Sequence, residues 1–153
     1  DLVGHSLEDC IHKVLAHPTV ASKEFLITIG DRTVGGLTAR DQMVGPWQTP
    51  VADAAVTLWD FKGFGGQAIA LGERQPLAVT DSVASVRMAL GEALTNLFSA
   101  QVDDLAHVKL CANWMAACGE KGQDVALYDA VQNLAMELCP QLGLSIPVGK
   151  DSL

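Results

Sequence analysis

The sequence predicts an α/β sandwich, in which a mixed, mostly antiparallel sheet is covered on one face by two long helices. Three observations predict it. Two stretches, from Asp81 to about Ala100 and from Asp124 to Leu138, repeat apolar residues at helical spacing. Two Val-, Ala- and Ile-containing runs, Val51 to Leu58 and Gln67 to Leu71, are joined by a connection short enough to favour an antiparallel pair. Strand and helix patterns then mix along 153 residues, a length that suits one domain with a real core.

Each element has its own signal. Ser6 is a candidate N-cap for a helix through Leu7, Ile11, Val14 and Leu15, and His17-Pro18 ends it because a residue before proline is driven out of the helical region. A short apolar stretch, Phe25 to Ile29, leads into a glycine-rich polar loop, Gly30 to Gly36. Gly45 to Pro50, with two prolines and Trp47, reads as a second loop or an extended edge. Val51 to Leu58 is a strand, Lys62 to Gly66 a turn, and Gln67 to Leu71 the partner strand. Asp81 or Ser82 caps the first long helix, whose apolar side carries Val83, Val86, Leu90, Ala93, Leu94 and Leu97. Val108 to Ala112 is a strand. The second long helix has Ala126, Leu127, Ala130, Val131, Leu134 and Leu138 as its stripe, and Pro140 is expected to stop it. Leu144 to Val148 is the last strand.

Composition excludes several classes of function. Apolar residues make up 49% of the chain and charged residues 18%, which is too apolar for a disordered segment. It is also apolar for a lone monomer, and so points to a face that meets another domain. The net charge of -8 opposes binding to nucleic-acid phosphates, although local backbone N–H groups, a lysine and Mg²⁺ can still hold a nucleotide. Cys10, Cys111, Cys118 and Cys139 form no C-x-x-C pair and fit a reduced cytoplasmic protein. No apolar run has membrane-spanning length and no signal peptide is recognisable, so no membrane partner is expected. Asp1 and Leu153 look like the ends of an excised fragment, read as one domain over 1–153.

Three constellations carry chemical potential. The loop Gly30 to Asp41, with Asp31 and the Gly35-Gly36 pair, could bring backbone N–H groups to a phosphate, but it matches neither known phosphate-loop pattern and can equally be a plain turn. Asp53 lies in an apolar strand pattern, where a carboxylate is costly unless partnered, or else stands at a strand edge in water. Glu92 and Asn96 are four apart on a predicted helix and share a face. With Asp53 they offer a hard-oxygen set suited to Mg²⁺, against the plainer reading of a solvated helix surface. His5, His12, His17 and His107 have no metal-type spacing. Cys111 and Cys118 read as buried thiols, and Trp47, Trp59 and Trp114 as packing anchors.

Several strings are more specific. His17-Pro-Thr-Val-Ala-Ser-Lys23, the run from Gly30 to Gln48, Pro50-Val-Ala-Asp53, Gly91-Glu-Ala-Leu-Thr-Asn96, Val108-Lys-Leu-Cys-Ala-Asn-Trp-Met115 and Ser145-Ile-Pro-Val-Gly-Lys-Asp-Ser152 resemble the large single-chain form of phosphoribosylformylglycinamidine synthase, also called formylglycinamide ribonucleotide amidotransferase. The resemblance covers the chain from about residue 13 onward. It implies the first α/β domain of the second of two fused repeats, each similar to aminoimidazole ribonucleotide synthetase. The family converts formylglycinamide ribonucleotide, ATP and glutamine to the amidine, with ADP, phosphate and glutamate as products.

The resemblance also implies residue roles. Asp53, Glu92 and Asn96 would ligate Mg²⁺, and Ala52 would touch ATP or ADP through its backbone. Lys23, Asp31, Gly35 and Gly36 would line the nucleotide and substrate cleft. A further aspartate ligand would fall beyond Leu153. Phosphoryl transfer to an amide oxygen needs charge neutralisation and positioning, so no catalytic base is nominated. The glutamine-hydrolysing cysteine of the family belongs to a separate domain. The implied partners are the first synthetase-like repeat, whose corresponding domain would pack sheet to sheet with this one, and the glutaminase domain, while the apolar content leaves room for a homodimer of the fragment through the sheet face. The isolated piece is expected to be inactive. The competing expectation is a degenerate repeat that holds an auxiliary nucleotide as a brace. Lys150-Asp151-Ser152 looks like an interrupted motif of open role.

Overall fold

A computed structural model of the chain describes residues 4–30 and 32–153. It opens with α1 (Leu7–Ala16), capped as the sequence predicts. The Asp9 N–H donates to Ser6 Oγ at 3.1 Å, and the Ser6 N–H donates to Asp9 Oδ2 at 3.1 Å, so two otherwise orphaned helix donors are satisfied. His17 ends the helix in an extended conformation. The apolar stretch that follows folds as a short helix, α2 (Glu24–Ile29).

The strands pair in a mixed, mostly antiparallel manner, as expected, but they divide among three small sheets. β1 (Thr38–Arg40), β4 (Ala54–Leu58) and β5 (Gly66–Ala70) form an antiparallel sheet with β4 in the centre. β2 (Met43–Val44) and β3 (Thr49–Pro50) form a two-stranded hairpin across the proline-containing loop. β6 (Lys109–Met115) and β7 (Ser145–Ser152) pair in parallel. The final strand is four residues longer at its C-terminal end than its apolar pattern suggested, because the Gly149–Ser152 backbone pairs with Ala112–Met115 irrespective of side-chain polarity.

Two long helical runs pack against this frame and against each other. After β5 the chain passes through Leu71–Arg74 into α3 (Gln75–Ala78) and then α4 (Ser82–Leu97), whose N-cap is Asp81, its carboxylate accepting from the Ala84 N–H at 2.8 Å. Leu90 and Leu97 of the predicted stripe are buried. α5 (Gln123–Gln132) continues into a π-helical stretch, Asn133–Leu138, and then α6 (Cys139–Leu142). Pro140 therefore does not stop the helix. It sits in the first turn of α6, just after the wide π turn, where a missing N–H is tolerated, and Gly143 ends the run at φ 68. Leu90, Leu134, Cys139 and Leu144 form the centre of the core, with Val86, Leu94, Leu110, Trp114 and Ile146 packed around them.

One close approach fixes how the sheet meets the helices. A Cβ on Gly72 would lie 2.0 Å from the Ala89 carbonyl oxygen and 2.5 Å from the Ala93 nitrogen of α4. Only glycine lets the segment after β5 lie directly on the helix backbone. Gly91, on the same helix, has nothing within 4 Å of a Cβ. The two positions should respond to alanine with opposite signs. Gly72→Ala should destabilise the protein by about 1–3 kcal/mol through overpacking, and Gly91→Ala should stabilise it by about 0.5–1 kcal/mol through helix propensity. Chemical denaturation of both variants measures this, and a neutral Gly72→Ala would contradict the close packing.

Candidate functional site

The segment Leu71–Arg74 is a strap laid antiparallel along α4. Asn96 Nδ2 donates to the Leu71 carbonyl at 3.0 Å. The Glu73 N–H donates to Glu92 Oε2 at 3.3 Å. Ser85 Oγ donates to the Arg74 carbonyl at 2.7 Å, and Ser85 is the buried polar residue of the helix. With Ala89 and Ala93 beneath Gly72, the strap uses positions 85, 89, 92, 93 and 96, which recur at helical spacing and share one face. Glu92 and Asn96 are thus neither free surface residues nor purely ligand-directed groups, because each holds a backbone group of the strap.

That hold orients their remaining oxygens. Asn96 spends its amide nitrogen on Leu71, so Oδ1 is the atom left for a ligand. Glu92 Oε2 takes both the Glu73 N–H and, at 2.6 Å, the Arg74 guanidinium Nη1. Among the described residues Oε1 of Glu92 has no such partner. Both side chains line an open groove of about 630 Å³, with Arg74, Arg87, Met88, Gly91 and Thr95 around them.

Asp53 stands exposed on the bend that leads into β4. The antiparallel register pairs Ala54 with Ala70, which brings Asp53 to the rung of Leu71, the residue that Asn96 grips. The register thus puts Asp53 at the same end of the β4–β5 pair as the strap, although Asp53 does not line the groove that holds Glu92 and Asn96. Among the described residues no three His, Cys, Asp or Glu side chains form a metal-holding group. Glu92 and Asn96 offer the groove one carboxylate and one amide oxygen, and Asp53 is a further carboxylate at that end of the sheet. This is the hard-oxygen chemistry that suits Mg²⁺, which commonly fills its shell with water and substrate phosphates, so the residues present fit the ion.

The other expected site residues lie elsewhere or are partly committed. The Ala52 N–H donates to the Gln42 carbonyl at 2.9 Å, leaving only its carbonyl to meet a ligand through the backbone. Gly35 and Gly36 have φ of 89 and 78 and form the turn before β1. β1 pairs with the far end of β4, at Val56 and Thr57, so this turn is separated from Asp53 by most of the strand, roughly 15 Å at the usual rise per residue. Lys23 is exposed at the start of α2, and its ammonium donates to the Ala21 carbonyl at 2.5 Å. Asp31 lies outside the described residues.

Two sets of expectations are corrected. Cys111 and Cys118 are exposed, not buried. Cys111 falls on the odd face of β6, where burial alternates strictly, and Cys118 follows the strand in a turn. The Cys118 thiol is nevertheless pushed up, by local desolvation first and then by a hydrogen bond and negative charge from Asp124 and the charge of Asp151, so it is not an activated nucleophile. Burial likewise raises Cys139, which is 2% exposed. Of the tryptophans only Trp114 packs against the core, while Trp47 and Trp59 are 88% and 72% exposed. Phe61 and Phe64, on the turn after β4, are likewise 76% and 100% exposed.

Arg74 is the residue that sequence reasoning missed. No spacing rule marks it, since its pairing with Glu92 arises only when the strap lies on α4. Ser85 was legible in principle, as a polar residue on the apolar side of an amphipathic helix.

Sheets, strap and helices together define a mixed, mostly antiparallel α/β domain. A family model described as the FGAR-AT PurM_N-like domain matches residues 22–153, and the chain belongs to that family. The family is associated with an ATP-dependent ligase of purine biosynthesis. No helix among the described residues is long and apolar enough to cross a membrane.

The strap can be tested apart from any ligand. Ser85→Ala leaves the Arg74 carbonyl unpaired in a half-buried position and should cost about 1–2 kcal/mol. Hydrogen exchange should quicken at the Glu73 amide in the same variant. Unchanged exchange there would contradict a strap held by Ser85.

Proposed function

We propose that this chain is the Mg²⁺–nucleotide-binding domain of a phosphoribosylformylglycinamidine synthase, the first α/β domain of its second synthetase-like repeat. The observation that carries the reading is the placement of Glu92 and Asn96 one helical turn apart, with Glu92 Oε1 and Asn96 Oδ1 unspent and Asp53 at the same end of the sheet. A bound Mg²⁺ would neutralise polyphosphate charge there. Glu92 and Asn96 would hold the ion from the helix and Asp53 from the strand, while the Ala52 carbonyl would meet the nucleotide. The Gly35-Gly36 turn belongs to the opposite end of the sheet, and together with Lys23 it would serve the substrate side of a longer cleft. Asp31 would join them.

The exposed apolar residues support docking to the remaining domains of a larger enzyme. Ile69 on β5 and Trp59, Phe61 and Phe64 on the adjoining turn leave one side of the small sheet uncovered, with Phe64 100% exposed. The first synthetase-like repeat would cover that side, with the glutaminase domain elsewhere in a cytoplasmic assembly. The groove is open on the side away from α4, and this chain by itself would not turn over ATP.

A second reading keeps the nucleotide but makes it a brace. It is favoured by the double duty of Glu92 and Asn96, whose contacts already hold the strap to α4. A ligand bound to both residues would then stabilise the fold without being consumed.

Asp53→Asn separates ligand binding from folding, because Asp53 takes no part in the strap. The unliganded melting temperature should change little, within the equivalent of about 0.5 kcal/mol for an exposed residue. Wild-type protein with Mg-ADP at a hundred times its dissociation constant should gain about 2.7 kcal/mol, and Asp53→Asn should lose most of that gain. An undiminished gain in Asp53→Asn would count against the cation-binding role.

A further inference from the structure

The carboxylate of Glu92 already has a cation on its other oxygen. Arg74 Nη1 lies 2.6 Å from Glu92 Oε2, with 44% of the arginine side chain and 27% of the glutamate side chain exposed. The same Nη1 also donates to the Glu73 carbonyl at 2.9 Å. The backbone of Arg74 is fixed by Ser85, so its side chain can leave Glu92 by rotation without dislodging the strap. A divalent ion on Glu92 and a guanidinium on the same carboxylate repel each other at short range.

The second arginine of the groove is differently placed. Arg87 Nε donates to Asn133 Oδ1 at 2.7 Å, and the Asn133 amide donates to Glu137 Oε2 at 2.6 Å, which ties Arg87 to the π-helical stretch beside α4. Arg74 has no comparable anchor beyond Glu92 and its own strap among the described residues. It is the positive charge on the groove rim that pairs directly with Glu92.

We propose that Arg74 is the resident counter-cation of Glu92, which yields the carboxylate to the divalent ion and transfers its guanidinium to the phosphates of the arriving nucleotide. The inference rests on the proposed Mg²⁺–nucleotide site and adds an exchange of partners to it. Before binding, the glutamate is neutralised by an internal ion pair. After binding, the divalent ion neutralises it, and the five N–H donors of the arginine face an anion that can accept them in pairs. Each charge keeps a partner throughout. The ion pair competes with a bare divalent ion, and the freed arginine then favours the ion–nucleotide pair over the ion alone.

The exchange gives Arg74→Gln two effects of opposite sign. Mn²⁺ serves as the probe ion, followed by electron paramagnetic resonance, with ADP titrated afterwards at saturating Mn²⁺. Arg74→Gln should bind Mn²⁺ alone roughly three- to fivefold more tightly, as expected for loss of a partly exposed competing pair. It should bind ADP roughly tenfold more weakly, as expected for loss of a charge-assisted phosphate contact. Weakening of both, or no change in Mn²⁺ affinity, would overturn the exchange and leave a merely structural arginine. Wild-type protein can be read directly by the guanidinium resonances of Arg74 in nuclear magnetic resonance. They should move when Mg-ADP is added, and unmoved resonances at saturation would also overturn it. If wild-type protein takes up neither Mn²⁺ nor Mn-ADP, the nucleotide site itself is refuted and the exchange falls with it.

Discussion

The contact between the strap Leu71–Arg74 and the face of α4 is the constraint on which the rest of the arrangement depends. It joins the antiparallel sheet to the helical layer, because the strap is the direct continuation of β5. It requires glycine at 72, since any side chain there would strike the helix backbone. It spends one end of Asn96 and one oxygen of Glu92 on backbone groups, and so decides which atoms of those residues remain available. Position on the helix and orientation of the donors thus have one cause.

A site built on such a contact is preorganised. Asn96 cannot flip its amide without releasing the Leu71 carbonyl, and Glu92 cannot rotate freely without releasing the Glu73 N–H. Rigid first contacts cost less to order when a ligand arrives. The same economy makes structure and binding hard to separate by mutation at 92 or 96. Asp53, which precedes β4 and takes no part in the strap, is the residue whose loss would report on the proposed binding alone.

Much of this was legible in the sequence, and the parts that were not share a physical reason. Asp81 as a cap, the stripe from Val83 to Leu97 and the β4–β5 pairing all follow from local pattern, and local pattern survives folding. Glu92 and Asn96 were legible as a pair because helical spacing alone puts them on one face. The division of the strands into three sheets was not legible, because it depends on contacts distant in sequence. Pro140 was misleading because a π turn before it removed the steric conflict that usually ends a helix. The short apolar run before Gly30 gave no period long enough to distinguish helix from strand, and it folds as α2. Cys111 and Trp59 are apolar residues on faces that none of the described residues covers, so apolar character misreported their burial. Arg74 was silent because its partner is set by the path of the strap.

The most direct measurement is a crystal structure of the chain with Mg-ADP bound. The account predicts an ion within about 2.0–2.1 Å of oxygens from Glu92 and Asn96, with Asp53 turned toward it and Arg74 moved from Glu92 to a phosphate. A nucleotide bound elsewhere, with Arg74 still on Glu92, would contradict it.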